Sequence, residues 1–265
     1  MSQEVFQITV LGARGSIPVS GEDTALFGGA TSCYMVRAGD ETVFLDAGSG
    51  LWSAPVDFPR PPVILLSHLH LDHMVGLGMY GRMMQPGKRT EIYLPVQSDG
   101  IAVQTLERLY SPPFWPKPLT ELGGEVAVYA QQFPLELCDV AIDGTEGSHP
   151  GGCMILRLRR HGKTVVYATD FCHTQQSEEA LLSFAAGADL LLYDGQFTPA
   201  EFAARPLAGH STAEKAVELM ERGNIRRVLL IHHGPGSADA VLAAREAALG
   251  RENVRYARQG QVISI

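Results

Sequence analysis

The run VILLS (Val63–Ser67) leads directly into HLHLDH (His68–His73), and no other feature narrows the possible folds of this chain so far. An unbroken apolar run of this length suits a central strand buried on both faces. If extended geometry persists past Ser67, His68 and His70 project to the same side, because side chains on a strand alternate with period two. Two imidazoles can then hold one cation, while Asp72 and His73, beyond a bend, face a second position. Neutral imidazole and carboxylate are good ligands for zinc, and also for manganese or iron. The competing reading is four unrelated polar residues on a loop. In a chain of 265 residues with nine His and twelve Asp, the HxHxDH pattern arises by chance roughly five times in ten thousand such sequences, which favours the metal reading.

Further ligand types stand where such a site needs them. His149 lies in GSHPGG after a β-type run, Asp170 ends KTVVYATD, and His232 and His233 end RRVLLIHH. Taken singly, a strand-terminal Asp is a turn former and a lone His a polar surface residue. Together they all sit at the C-terminal ends of buried strands, where α/β folds place their sites.

The surrounding pattern is strand-rich. VFQITVL (Val5–Leu11), SCYMVRA (Ser32–Ala38) and ETVFLDA (Glu41–Ala47) read as strands separated by glycine turns. After Glu125 the outline repeats: EVAVYA, MILRLRR, KTVVYATD and ADLLLYD (Ala188–Asp194) as strands, with a helix near 178–186. STAEKAVELMERG (Ser211–Gly223) has helix punctuation, with Ser211 as cap, Glu214 three residues later and Gly223 at the stop. ADAVLAAREAALG reads as a last helix. Strands that cluster in each half and are followed by helices suit two sheets packed face to face with helices outside, in one α/β domain spanning 1–265. The Met-, Gly- and Pro-rich stretch from about 76 to 120, ending in SPPFWPKP, reads as a helix plus a long loop, a lid or substrate wall.

Composition bounds the partners. The chain is 45% apolar, so it can build a large core, and carries a net charge of −8. That charge argues against coating nucleic acid, which needs excess Lys and Arg to displace counterions. Cys33, Cys138, Cys153 and Cys172 form no CxxC pair and read as small apolar residues in a reducing compartment. There is no basic leader followed by an apolar stretch and no run of membrane-spanning length, so the expected location is cytoplasmic, without a membrane partner.

The ordered series SHLHLDH, HPGG, YATD, GHSTAE and IHH, with LGARGSIP, FGGATSC and FLDAGSG before it, resembles the metallo-β-lactamase superfamily. Within it the chain is similar to the phosphodiesterase-type branch, ribonuclease Z-like and cyclic-phosphate phosphodiesterase-like. The resemblance covers nearly the whole chain and implies the four-layer αββα fold. It implies two divalent ions, with His68, His70 and His149 on one, Asp72, His73 and His232 on the other, Asp170 bridging them, and a water or hydroxide between. It selects His232 over its neighbour His233 as the first histidine after the strand. Asp46 is implied to order the HxHxDH loop without binding metal.

In ribonuclease Z-like enzymes a His before the GHST helix, paired with an acidic residue ending the preceding strand, handles phosphate; those positions are His210 and Asp194 here. A carboxylate-held imidazole stays protonated nearer neutral pH and can assist a departing oxygen. Asp72, besides holding metal, would orient the nucleophile or take its proton. The expected activity is hydrolysis of a small cyclic or nucleotide phosphodiester. The alternatives are a carboxylic ester, lactone or thioester on the same metals, and a non-catalytic nucleotide or metal sensor. Transfer RNA is disfavoured by the acidic charge and by the lack of a long Gly/Pro-rich arm. The branch's usual Asn after its glycine pair is Ala30 here, and no Cys/His cluster for an extra zinc is present. Phe114 and Trp115 are placed to stack on a base or cover a small ligand, unless they merely pack the lid. A homodimer is the family's expectation.

Overall fold

The computed structural model describes residues 5–95 and 101–265. In chain order the strands are β1 (Phe6–Gly12), β2 (Cys33–Ala38), β3 (Glu41–Leu45), β4 (Val63–Leu65), β5 (Arg89–Leu94), β6 (Glu125–Ala130), β7 (Leu135–Leu137), β8 (Val140–Gly147), β9 (Cys153–Arg160), β10 (Lys163–Ala168), β11 (Leu190–Asp194), β12 (Val228–Ile231), β13 (Val254–Tyr256) and β14 (Val262–Ser264). The helices are α1 (Ile101–Leu109), α2 (Gln175–Ala185), α3 (Pro199–Ala204), α4 (Ala213–Arg222) and α5 (Asp239–Ala248). The strands form two seven-stranded sheets, ordered β14-β1-β2-β3-β4-β5-β6 and β13-β12-β11-β10-β9-β8-β7. Each sheet is mixed: β3 to β6 run parallel in the first, β10 to β13 in the second.

The apolar runs explain the layering. On β3, β4, β10 and β11 alternate residues serve two different cores. Val43, Leu45, Val63, Leu65, Val165, Tyr167, Leu190 and Leu192 fill the space between the sheets. Their neighbours Val166, Ala168, Leu191 and Tyr193 pack outward against α2, α4 and α5, and Phe44, Ile64 and Leu66 pack outward on the first sheet. A strand with a core on each face has no position for a polar residue, which is why these segments read as continuous apolar runs. Helix α4 docks through Ala213, Ala216, Leu219 and Met220, one stripe at helical spacing. Over the first sheet the outer layer is thinner: α1 and short 3-10 turns carrying Leu51, Leu77, Tyr80 and Met83.

The stretch from 76 to 120 is more regular than its composition suggests. It contains β5, which pairs with β4 and β6 in the body of the first sheet, so only its flanks act as cover. The Met- and Gly-rich turns around RTEIYL hid a strand whose alternating burial is plain in the fold. The cap of α4 also falls one residue beyond Ser211: the Thr212 hydroxyl accepts the Lys215 N–H at 3.2 Å. Ser211 is drawn inward instead, its hydroxyl accepting that of Tyr193 at 2.8 Å. Cys33, Cys153 and Cys172 are buried and Cys138 is exposed, all as free thiols. Among the described residues no helix is long and apolar enough to cross a membrane.

Replacing Thr212 with Ala removes the observed cap and is expected to lower the unfolding free energy by about 1 kcal/mol. Urea titration reads this as a lower midpoint at unchanged slope; a wild-type midpoint would show that the cap contributes nothing.

Candidate metal centre

Parallel pairing aligns the C-terminal ends of β3, β4, β10, β11 and β12, and the chemistry-bearing residues follow those ends. Asp46 follows β3, the His68–His73 segment follows β4, His149 follows β8, Asp170 follows β10, Asp194 ends β11 and His232 follows β12. The extended backbone does persist to His70 (φ −66°, ψ 146°) before Leu71–His73 turn, so His68 and His70 meet with ring centroids 4.5 Å apart.

The side chains converge in two groups. His68, His70, His149 and Asp170 present ligand atoms within 4.8 Å of one another, and so do Asp72, His73 and His232. Asp170 lies between them. Its Oδ1 is 3.1 Å from His73 Nε2 and 3.2 Å from His232 Nε2; its Oδ2 is 3.7 Å from His68 Nε2 and 3.6 Å from His149 Nε2. One carboxylate thus faces both groups, one oxygen to each.

The tautomers implied by the hydrogen bonds fit cations. His73 Nδ1–H donates to Asp46 Oδ2 at 2.6 Å, His149 Nδ1–H to the Gly209 carbonyl at 3.0 Å, and His232 Nδ1–H to Gln196 Oε1 at 2.7 Å. Ser67 gives its own proton to Asp46, so its oxygen accepts His68 Nδ1–H at 3.0 Å. In each case Nε2 is left as a lone pair aimed into the cluster. Nε2 of His68 and of His73 is buried with no hydrogen-bond partner. Buried polar atoms are almost always paired, and convergent imidazole lone pairs beside carboxylates are the donor set of a divalent cation. His70, which offers Nδ1 at 3.2 Å from His149 Nε2, is exposed, so the cluster opens to solvent on that side.

Electrostatics follow from burial and these partners. Burial pushes the His68 and His149 imidazoles below the usual histidine range, keeping them neutral. Burial opposes ionisation of Asp72, but the His232 and His73 rings beside it hold its carboxyl far below the usual carboxylate range. For His210 burial works against protonation, and the Asp194 carboxylate outweighs it, so its pKa is raised. His210 Nδ1–H donates to Asp194 Oδ2 at 2.8 Å. The same ring stacks on His232 at 4.9 Å and brings a nitrogen within 4.8 Å of the Asp170 and His232 ligand atoms.

Of the histidines expected at the site, His233 is the one the structure turns away. It is buried, with Nε2–H donating to the Ala257 carbonyl at 2.7 Å and its ring edge-on to Phe27 and Tyr256. Burial lowers its pKa to about 3. Trp115 packs against Tyr110 and Gly78, while Phe114 is 72% exposed; neither touches the cluster, so lid packing is the observed role of Trp115. Asp46 accepts from Ser67 N–H and Oγ–H, His73 Nδ1–H and Tyr167 O–H, all at 2.6–2.8 Å. It orders the loop from within.

Several contributors were not readable beforehand. Ser16 N–H donates to Asp72 Oδ2 at 2.7 Å. Gly15 lies so near the His232 ring that a Cβ there would sit 2.3 Å from Nδ1. Arg14 is fully buried and donates to the carbonyls of Gly28, Gly234 and Ser237 at 2.8–3.3 Å, pinning the loops on either side. The only signal was the glycine-flanked LGARGSIP segment itself. The turn with Ala30 is held from outside, its N–H donating to Gln259 at 3.2 Å. Ser16, Asp46, Asp170 and His232 all have positive φ, between 47° and 67°. Non-glycine residues adopt that conformation at a cost, and such strain gathers at functional sites.

Comparison with known proteins follows this geometry. Residues 42–233 match the model of the beta-lactamase superfamily domain. The probable metallo-hydrolase YhfI of Bacillus subtilis is 25% identical over 233 residues, covering 86% of each chain. The crystal structure of that metallo-beta-lactamase fold protein superposes with a TM-score of 0.74 at 22% identity, over 99% of this chain and 100% of the other. Ribonuclease Z of Methanosarcina acetivorans is 25% identical over 279 residues, 86% of this chain and 87% of that protein. The structure of a diphosphatase from the PhnP family superposes with a TM-score of 0.68 at 18% identity, covering 98% of each. The chain belongs to the metallo-β-lactamase superfamily, is similar to YhfI and ribonuclease Z, and its His/Asp clusters have the arrangement of a metallo-hydrolase site.

Proposed function

We propose that this chain is a dinuclear metal-dependent phosphodiesterase acting on a small cyclic or nucleotide phosphodiester. The observation that carries the reading is the His210–Asp194 pair, 2.8 Å apart, set against the Asp170 and His232 side of the cluster. A carboxylic ester, lactone or thioester substrate needs no second cationic donor beside the metals, whereas a phosphoryl centre presents additional charged oxygens to one.

His68, His70 and His149 would hold one ion, Asp72, His73 and His232 the other, and Asp170 both. Zinc suits this donor set best, with manganese or iron as alternatives. Two such ions, when bound, supply Lewis acidity toward a phosphoryl oxygen and lower the proton affinity of a nucleophilic water. Asp72, itself oriented by the Ser16 N–H, orients the attacking water. His210, protonated on both nitrogens and held through Nδ1, donates from its other nitrogen to a phosphoryl oxygen or to the departing alkoxide. Gln196, Gly209 and Asp46 keep the rings in register. The net charge of −8 argues against extending the ribonuclease Z likeness to a transfer-RNA substrate.

Purified protein is expected to hold about two metal ions per chain and to hydrolyse bis-p-nitrophenyl phosphate faster than p-nitrophenyl acetate or a lactone panel. Faster ester or lactone turnover would replace the phosphodiesterase reading with an esterase on the same metals. Asp170→Ala and His70→Ala should abolish turnover together with much of the bound metal, measured by elemental analysis.

His210→Ala should lower kcat by about 100- to 10,000-fold with metal content unchanged; parallel loss of metal would make His210 a ligand. His232→Ala should lose metal, and His233→Gln should retain it; the reverse pattern would exchange their roles.

A further inference from the structure

Behind the His210–Asp194 pair runs a line of buried polar side chains that the chemistry above does not use. Tyr193 precedes Asp194 on β11, and Ser211 follows His210. The Tyr193 hydroxyl is hydrogen-bonded to Ser211 Oγ and to His173 Nδ1, both at 2.8 Å. His173 Nε2 is hydrogen-bonded in turn to Glu178 Oε2 at 2.9 Å, and Glu178 pairs with Arg222 at the end of α4. The residue after His210 is thereby tied to the first turn of α2, and α2 to α4.

The line is enclosed where it nears His210. Tyr193 and Ser211 are fully buried, and His173 nearly so. Tyr193 shares the apolar layer outside the second sheet with Phe171, Ala213 and Ala216, its ring 5.5 Å from that of Phe171. The His173 ring meets Phe171 and Phe202 edge-on at 5.9 and 6.3 Å. Packing in such a layer calls only for a phenylalanine at 193. A hydroxyl buried there costs free energy unless its partners are in place. Once paired, its hydrogen bonds are strengthened by the apolar surroundings.

The other ties of the Gly209–Ser211 segment show what this line adds. Asp194 holds His210 Nδ1 at 2.8 Å, the Gly209 carbonyl accepts from His149, and the Ser211 carbonyl accepts the Phe197 N–H at 2.9 Å. The His210 ring stacks on His232 and meets Phe197 edge-on at 5.3 Å, and Phe197 in turn lines a cavity of about 660 Å³. A single hydrogen bond at Nδ1 fixes that atom but lets the ring pivot about it. The direction of Nε2 then follows from the backbone on either side, and Ser211 is the neighbour whose side chain is anchored in the core.

We infer that Tyr193, backed by His173, is a positioning residue for the reaction: it anchors Ser211 and so sets the direction in which His210 presents its Nε2–H. The inference rests on the donor role proposed for His210.

Steady-state hydrolysis of bis-p-nitrophenyl phosphate by the metal-loaded enzyme tests it. Tyr193→Phe is expected to lower kcat by about tenfold, with KM and metal content as in the wild type. In a His210→Ala background the same substitution should change kcat by less than about twofold, because both act through one imidazole. Ser211→Ala, a smaller change, should reproduce the loss, and the two substitutions together should lose no more than either alone. His173→Ala should lower kcat likewise, and His173→Asn, which returns a polar group near the Nδ1 position, should restore part of it. Wild-type kcat in Tyr193→Phe and Ser211→Ala, an equal loss with and without His210, or a loss of bound metal overturns the inference. Failure of the His210 role registers separately: His210→Ala then keeps the wild-type kcat, or the enzyme hydrolyses esters and no diester, and both readings fall.

Discussion

The carboxylate of Asp170 is the constraint around which the site is built. Its two oxygens face different groups of histidines, Oδ1 toward His73 and His232 and Oδ2 toward His68 and His149. Those histidines arrive from both sheets, so the groups stay together only while the sheets stay packed. The core between the sheets is thus a structural requirement of the site as well as a source of stability. Asp170 itself stands at φ 47°, just past β10, with Thr169 Oγ1–H donating to its Oδ1 at 2.7 Å. A carboxylate buried there calls for positive charge beside it, and the two groups of histidines are arranged to hold cations on either side.

Behind the clusters lies a set of groups that do not face solvent or substrate yet decide what the histidines offer. Asp46, Gln196, Ser67 and the Gly209 carbonyl each take an Nδ1–H or its equivalent, so that Nε2 is the nitrogen presented. Arg14 works at longer range. Its buried guanidinium ties the turn before Gly29 to the loop after His233 through backbone carbonyls, and so fixes where Gly15 and Ser16 meet His232 and Asp72. An Arg has the five donors needed for that arrangement, and a Lys does not reproduce their plane.

His232 and His233 show how tertiary context separates identical neighbours. Both follow the same buried strand, and an extended chain would send them to opposite faces. The backbone at His232 instead adopts φ 58°, with its ring held by Gln196, while His233 is enclosed by Phe27 and Tyr256 and engaged by a carbonyl. Nothing in the IHH segment alone encodes that difference, because Gln196, Phe27 and Tyr256 come from remote parts of the chain.

The sequence by itself determined the strand that delivers His68, the extended reach to His70, the two-sheet architecture and the identity of most residues now found in the clusters. Those are local properties: apolar runs without polar gaps, side-chain alternation, and a compact ligand motif. It missed β5 inside the turn-rich stretch after Gly76, because the edges of that strand are punctuated by Gly and Pro while its pairing partners β4 and β6 lie elsewhere. It placed the α4 cap on Ser211 because Glu214, three residues later, completes a capping-box pattern from that position. Only the fold shows that the Ser211 hydroxyl is occupied by Tyr193. The contact of Ser16 with Asp72, the anchoring of the loops by Arg14, the enclosure of His233 by Phe27 and Tyr256, and the cavity behind Phe197 were decided by tertiary structure alone. Each depends on atoms brought together across sheets and loops, and on backbone conformations that hold only where the surrounding packing enforces them.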